Sequence, residues 1–411
     1  MDSAAMLLEQ RRTTGIELAS EQFAALLGPG TSDAVVASLL TTLAMSGHSD
    51  TEVSALTRAY VASGKQVRWP DATRVVDKHS TGCVGDDVSI VLAPLLAATG
   101  LRVAKITGAA LRHCGGTLDK LRCIPGLRLD LTMAEFVGCV EKVGFCIAGQ
   151  SPELVPADGR TYALRERTGT VDVPTLIAAS IMSKKLATGA ATIALEVKYG
   201  SGAVVATEAD ADELVRLMRA IGEAAGRRML ISTCDASQPL APAAGPLLEL
   251  REAVAVLRGG GSPVLREHVT GLAEQILHAV PTRETGTSAR SRIESALNSG
   301  AAYEMFCRYI DHLGGDAEWL NNGLDTARAP AVVTYHAPRA AVYAGIDARP
   351  VGEAAQILSA VDTRCGVRIV AEPGQPVSAG QPVFEIHAPD PISGHAHADV
   401  LGRHCHFHFH H

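Results

Sequence analysis

Val75-Val76-Asp77-Lys78-His79-Ser80-Thr81-Gly82-Cys83-Val84-Gly85-Asp86-Asp87 is the stretch from which the rest of the chain can be read. Two β-branched residues open it as a short strand, and a lysine, a histidine, two hydroxyls and two glycines follow at once. Glycines let backbone amides approach an anion, the lysine supplies charge, and the hydroxyls add oriented donors. The order G-x-x-x-x-G-K-[ST] is absent, so this is not a Walker loop. Alone, the stretch fits either an anion-binding loop or a glycine-rich turn holding a satisfied histidine.

A second loop of the same texture, Thr107-Gly108-Ala109-Ala110-Leu111-Arg112-His113-Cys114-Gly115-Gly116-Thr117, follows the β-rich run 101–106. Two such loops at the carboxyl ends of neighbouring strands would face one crevice, where open α/β sheets hold ligands, and together could surround one phosphate. Further β-rich runs at 145–148, 193–198 and 229–233 alternate with helical stretches at 176–187 and 208–226, which predicts an α/β fold with a mostly parallel sheet.

Upstream, the first 65 residues read as helical. Ser49-Asp50-Thr51-Glu52 is expected to form a capping box, with Val53, Leu56 and Tyr60 on one buried face and Gly64 ending the helix. The predicted organisation is a small all-α domain from two segments, 1–68 and 156–190, and a large mostly parallel α/β domain from 69–155 and 191–330. A β-rich module at 331–390 follows, in which Gly374-Gln375-Pro376-Val377 recurs as Gly380-Gln381-Pro382-Val383. The His-rich residues 391–411 are expected to be a disordered tail without function.

A third cluster lies on the expected α-domain: Tyr162 and Arg165, then Ser180 and Lys184, four apart and so on one helix face. A serine, a lysine and an arginine there could hold a planar, carbonyl-bearing ligand, or could simply be solvated.

Composition narrows the classes. The 411 residues exceed the roughly 100–200 of one domain. Apolar residues at 47% and charged residues at 20% exclude disorder of the whole chain. A net charge of −7 and only 4% aromatics argue against a nucleic-acid partner. The longest apolar run, 90–98, is broken by Pro94 and is far shorter than the roughly 20 residues of a membrane span. Nine cysteines without a C-x-x-C pair, and no signal-like start, lead to the expectation of a cytoplasmic protein with reduced thiols.

These motifs, with Pro156-Ala157-Asp158, Ser180-Ile181-Met182-Ser183-Lys184-Lys185 and Val197-Lys198-Tyr199-Gly200-Ser201-Gly202-Ala203, resemble the thymidine/pyrimidine-nucleoside phosphorylases in order and spacing from about residue 5 to about residue 390. The resemblance implies a nucleoside phosphorylase/phosphoribosyltransferase-like fold, a homodimer joined through the α-domain, and phosphorolysis of a pyrimidine (deoxy)ribonucleoside to base and pentose 1-phosphate. It places phosphate at Lys78, Ser80, Ser89, Thr107 and Thr117, and the base at His79, Leu111, Tyr162, Arg165, Ser180 and Lys184. His79, Arg165, Ser180 and Lys184 would be the catalytic set. No cofactor is required, but some relatives bind a monovalent cation such as K⁺, whose ligands would map onto Gly85, Asp87, Leu240, Ala243 and Glu252. Lys105 resembles the branch of the family that takes uridine as well as thymidine.

The chain departs from the family pattern near the expected site. Ala109 stands for an arginine, Ala110 and Arg112 for glycines, Cys114 for a threonine, Thr107 for a serine, Cys83 for a glycine and Pro246 for an asparagine. If Ala110 or Arg112 has φ > 0, the loop must move or carry strain. Rival readings are a paralogue acting on a modified nucleoside, a non-catalytic nucleoside binder, and an anthranilate-type phosphoribosyltransferase. The last is disfavoured because its G-T-G-G-D loop is absent.

Overall fold

The computed structural model describes residues 3–110, 112–281 and 288–409. Its centre is a five-stranded sheet of β1 (Val75–Ser80), β2 (Arg102–Ile106), β3 (Phe145–Ala148), β4 (Thr192–Tyr199) and β5 (Arg228–Asp235), in the order β3-β2-β1-β4-β5. Every neighbouring pair is parallel. The winding reverses at β1, because β2 and β3 extend to one side and β4 and β5 to the other. The crevice beyond the carboxyl ends of β1 and its neighbours is therefore a topological switch point.

Alternation along β4 divides the two faces. Ile193, Leu195 and Val197 pack against the small helical domain, whereas Ala194 joins the large core on the opposite face. That large core takes the helices Val88–Ala98, Met133–Val143, Pro246–Leu257, Pro263–Ala279 and Ala301–His312.

The helical domain is assembled from separated segments. Helices Ser3–Thr14, Ser20–Leu27, Asp33–Met45 and Asp50–Ala62 share one core with Pro156–Thr168 and Pro174–Ala187. Arg160 in the second segment stitches them together by donating to Gly28 O at 3.1 Å, Thr31 O at 2.6 Å and Asp33 Oδ1 at 2.6 Å. Gly64 marks the crossing point, since a Cβ there would stand 2.5 Å from Glu153 O.

Val53, Leu56 and Tyr60 are buried on one helix face as their spacing predicts. The capping box forms only by half. Ser49 Oγ accepts from Glu52 N at 3.1 Å, but the Glu52 carboxylate is pulled instead onto Arg11, with Nε to Oε1 at 2.8 Å, and accepts from Leu18 N at 3.0 Å. A buried guanidinium outcompetes a single amide for that carboxylate.

Residues beyond 330 make two antiparallel sheets. With β6 (Ala243–Ala244), β7 (Ala331–His336), β8 (Ala341–Ile346), β9 (Gly366–Ile369), β10 (Pro376–Val377), β11 (Pro382–Ala388) and β12 (Cys405–His408), the orders are β6-β9-β11-β7 and β10-β8-β12. The repeated G-Q-P-V marks two copies of one turn. Gly374 and Gly380 have φ of 88° and 79°, and Gln375 and Gln381 each close the turn by accepting at 3.0 Å from Glu372 N and Ser378 N.

The tail expectation is overturned. Pro391–Gly402 is a helix that buries Ala398 and Leu401 in the module core, and β12 pairs with β8. Asp390 caps that helix by accepting from Ser393 N at 2.8 Å, and Phe407 packs on Tyr343 with ring centroids 5.7 Å apart. Histidines alternating with phenylalanines form an amphipathic strand, a pattern that low complexity disguised. No helix among the described residues is long and apolar enough to cross a membrane.

Candidate functional site

The carboxyl ends of β1, β2 and β3 open into a cleft of about 650 Å³. Its sheet side is lined by Ser80, Ser89, Thr107 and Thr117, together with Lys105 and the backbone of Gly108, Gly115 and Gly116. Its opposite wall is the helical domain, which contributes Asp158, Tyr162, Ser180 and Lys184, and His79 lies between. Two loops separated by a strand and one face of a distant helix thus meet around one space, as their sequences predict.

Each group is held by its neighbours. Ser80 Oγ donates to Asp86 Oδ2 at 2.5 Å and accepts from Gly82 N at 3.2 Å. Thr117 begins a short helix after Gly116, where a Cβ would come 2.2 Å from the Ala109 backbone. That glycine is what lets the two arms of the second loop touch. Lys184 Nζ is ion-paired with the buried Asp158 and donates to Ser180 O and Oγ, each at 3.0 Å, so the i, i+4 spacing delivers the expected pair.

Two residues sit differently from the expectation. Lys78 does not line the cleft. It is 1% exposed, with Nζ 2.8 Å from Glu196 Oε2 and 3.4 Å from Ser89 Oγ, and it reaches the cleft only through Ser89. Arg165 is buried and donates to Thr170 O at 3.2 Å, Leu176 O at 3.2 Å and Val171 O at 2.5 Å. Those bonds fix the 169–173 connection, while the guanidinium lies 5.6 Å from the Tyr162 ring centre and lines a side pocket of about 160 Å³. Leu111 lies outside the described residues.

Electrostatics favour anions here. His79 is held well below its ordinary value of 6.5, first by burial and then by the ammoniums of Lys185, Lys105, Lys78 and Lys184, so its imidazole is neutral. Lys105 is pushed well below its usual value by burial and by Lys185 and Lys78. Its Nζ donates to Lys78 O at 3.0 Å and has further donors for the cleft. Lys105 and Lys185 were not among the expected site residues, although a lysine inside an apolar strand is itself a signal. Lys185 Nζ bonds Asp77 Oδ1 at 2.9 Å and Ile106 O at 3.1 Å, tying helix 174–187 to the sheet.

Four of the five residues expected around a cation come from touching segments. Leu240 N donates to Val84 O at 3.1 Å, and a Cβ on Gly85 would stand 3.1 Å from Ala243 O. Asp87 is bound by Lys120 Nζ at 3.0 Å and lies beside Glu249, and burial together with that second carboxylate holds it well above the usual carboxylate range. Glu252 is turned away onto Ser262 N, at 2.5 Å. Lys120 already supplies the positive charge between Asp87 and Glu249, and Glu252 in this position does not join the set.

Residues 72–303 match the model of the glycosyl transferase family, a/b domain. The chain is 40% identical to the pyrimidine-nucleoside phosphorylase of Bacillus subtilis (strain 168), over 83% of this chain and 81% of that one. It is 40% identical to the pyrimidine-nucleoside phosphorylase of Staphylococcus aureus (strain USA300), over 82% and 80%. Anthranilate phosphoribosyltransferase from Thermus thermophilus superposes with a TM-score of 0.61 at 20% identity, over 75% of this chain and 99% of that one, a likeness of fold alone.

Proposed function

The chain belongs to the pyrimidine-nucleoside phosphorylases within the glycosyl transferase family, and from that premise we propose how its cleft divides the work of phosphorolysis. The reaction is attack of phosphate on the anomeric carbon of a pyrimidine nucleoside, releasing base and pentose 1-phosphate. Ser80, Ser89, Thr107 and Thr117, with the amides of the glycine loops, hold phosphate on the sheet side, Lys78 supplies charge behind them, and Lys105 adds hydrogen-bond donors. Ser180 and Lys184 hold the base on the helical side, with Tyr162 and Arg165 flanking it.

The bond breaks through an oxocarbenium-like sugar, so negative charge grows on the departing base. Lys184 and Arg165 stabilise that charge. His79, being neutral, donates a hydrogen bond to a base carbonyl rather than acting as an imidazolium acid. Phosphate on one wall and base on the other make approach of the two walls the step that aligns them. A monovalent cation beside Asp87 would tie the loop after β1 to residues 240–243, and no step is routed through it. Pairing of two copies through the helical domain belongs to the same proposal.

The observation that carries this reading is one continuous cleft with hydroxyls and glycine amides on one wall and the Ser180–Lys184 pair on the other. The test is base release from uridine, thymidine and 2′-deoxyuridine, each with and without phosphate. Release of uracil or thymine only with phosphate is the expected result and identifies the sugar accepted. Release from none of them by folded protein would shift the reading to a modified nucleoside or to a binding protein.

A further inference from the structure

Arg112 is one of two non-glycine residues with positive φ among the described residues, at 57°. A side chain in the left-handed region persists only where its surroundings hold it. Here the hold is a fork onto Asp172. Arg112 Nη2 lies 2.6 Å from Oδ1 and 2.7 Å from Oδ2. Arg112 belongs to the loop after β2, and Asp172 to the connection between helices 156–168 and 174–187, so the pair bridges the two walls of the cleft. Both side chains are partly in solvent, at 45% and 68% exposed, which places the bridge at the mouth.

The two residues line the side pocket of about 160 Å³, which joins the main cleft through His79, Ser80, Thr81, Tyr162 and Ser180. Its walls are Val171, Ile177, Ile181, Val204 and Val205, with the Arg165 guanidinium beside them. A pyrimidine whose carbonyls and ring N–H face Ser180, Lys184 and His79 turns its remaining edge, the carbon at position 5, toward an apolar surface. Resting on the reading of this cleft as a nucleoside site, we propose that the Arg112–Asp172 bridge is a specificity determinant that closes the 5-substituent pocket. Hydrogen or a small apolar group at position 5 fits against the valines and isoleucines. A longer substituent meets the bridge and is refused. The bridge thereby sets a size limit on the base.

The test compares kcat/KM for 2′-deoxyuridines bearing hydrogen, methyl, ethyl or propynyl at position 5, in the parent, Arg112→Gly, Asp172→Ala and the exchange variant R112D/D172R. The expected result is a rise of about tenfold or more in the propynyl-to-methyl ratio in both single variants, the scale on which apolar pockets discriminate single carbons. The ratio is expected to fall back toward the parent's in the exchange variant, since aspartate tolerates positive φ and the bridge re-forms in reverse. A ratio that does not rise in either single variant overturns the proposal while leaving the phosphorylase reading intact. Parent protein that cleaves none of the four overturns that reading, and the size limit with it.

Discussion

Glu196 Oε2 stands 2.8 Å from Lys78 Nζ, and each side chain is only 2% exposed. The same carboxylate takes Lys198 Nζ at 3.1 Å and His268 Nε2 at 2.5 Å through its other oxygen. Burial alone would raise its pKa, but Lys78, Lys198 and His268 outweigh burial and hold it well below the usual carboxylate range. One buried anion therefore balances two buried ammoniums directly behind the proposed phosphate wall.

Glu196→Gln leaves Lys78 and Lys198 facing each other without that anion, and breaking a buried pair costs about 3–5 kcal/mol. If Lys78 serves phosphate through Ser89, inorganic phosphate replaces part of the missing charge, because a ligand bound by the native state raises its stability. Thermal unfolding with and without phosphate checks this. The variant should melt lower than the parent and gain more from phosphate than the parent does. Equal gains would remove Lys78 from the phosphate site.

The meeting of the two glycine-rich loops and the Ser180–Lys184 pair were legible because local rules suffice there: glycines permit close approach, and i, i+4 spacing sets a shared face. The ion pair that draws Lys78 behind the cleft was not legible because its partner, Glu196, lies 118 positions along the chain on a neighbouring strand, and only β-pairing brings them together. Glu52 misled for the same reason, its carboxylate being taken by Arg11 from another helix. The C-terminal residues were read as a tail because histidine repeats look like low complexity. The two-residue period that makes His406 and His408 exposed and packs Phe407 on Tyr343 is a strand signature.

His79 gives a pH-dependent expectation. Its folded pKa lies well below 6.5, so on acidification the unfolded chain takes up a proton near pH 6.5 that the folded chain refuses. The stabilising contribution is complete above 6.5 and is lost as pH falls from there toward the folded value. His79→Gln cannot titrate in either state. Its melting temperature should therefore fall less steeply than the parent's between pH 6.5 and about pH 5, measured by scanning calorimetry. Parallel curves would mean that His79 is solvated and protonates normally.

Removal of residues 391–411 tests the C-terminal module. The helix Pro391–Gly402 and β12 bury Leu401 fully and cover one edge of β8. Losing Leu401 burial alone is worth about 1.5–3 kcal/mol, and the bared edge offers unpaired backbone groups to other chains. Truncation should lower the melting temperature and increase light scattering. A truncated chain as stable and monodisperse as the full one would show that the tail contributes nothing to the fold.

Lys184→Ala separates base recognition from phosphate recognition. The ammonium is held by Asp158 and Ser180 on the helical wall, away from the hydroxyls of the sheet wall, so its removal should leave the phosphate KM near the parent's. What it stabilises is charge that grows as the base departs, and an interaction made mainly in the transition state lowers kcat and kcat/KM together. Loss of one such preorganised group costs about 10²–10³ in kcat. Steady-state kinetics with each substrate varied in turn gives the answer. A raised nucleoside KM at parental kcat would assign Lys184 to ground-state binding alone, and Arg165 would then be left to carry the charge of the leaving base.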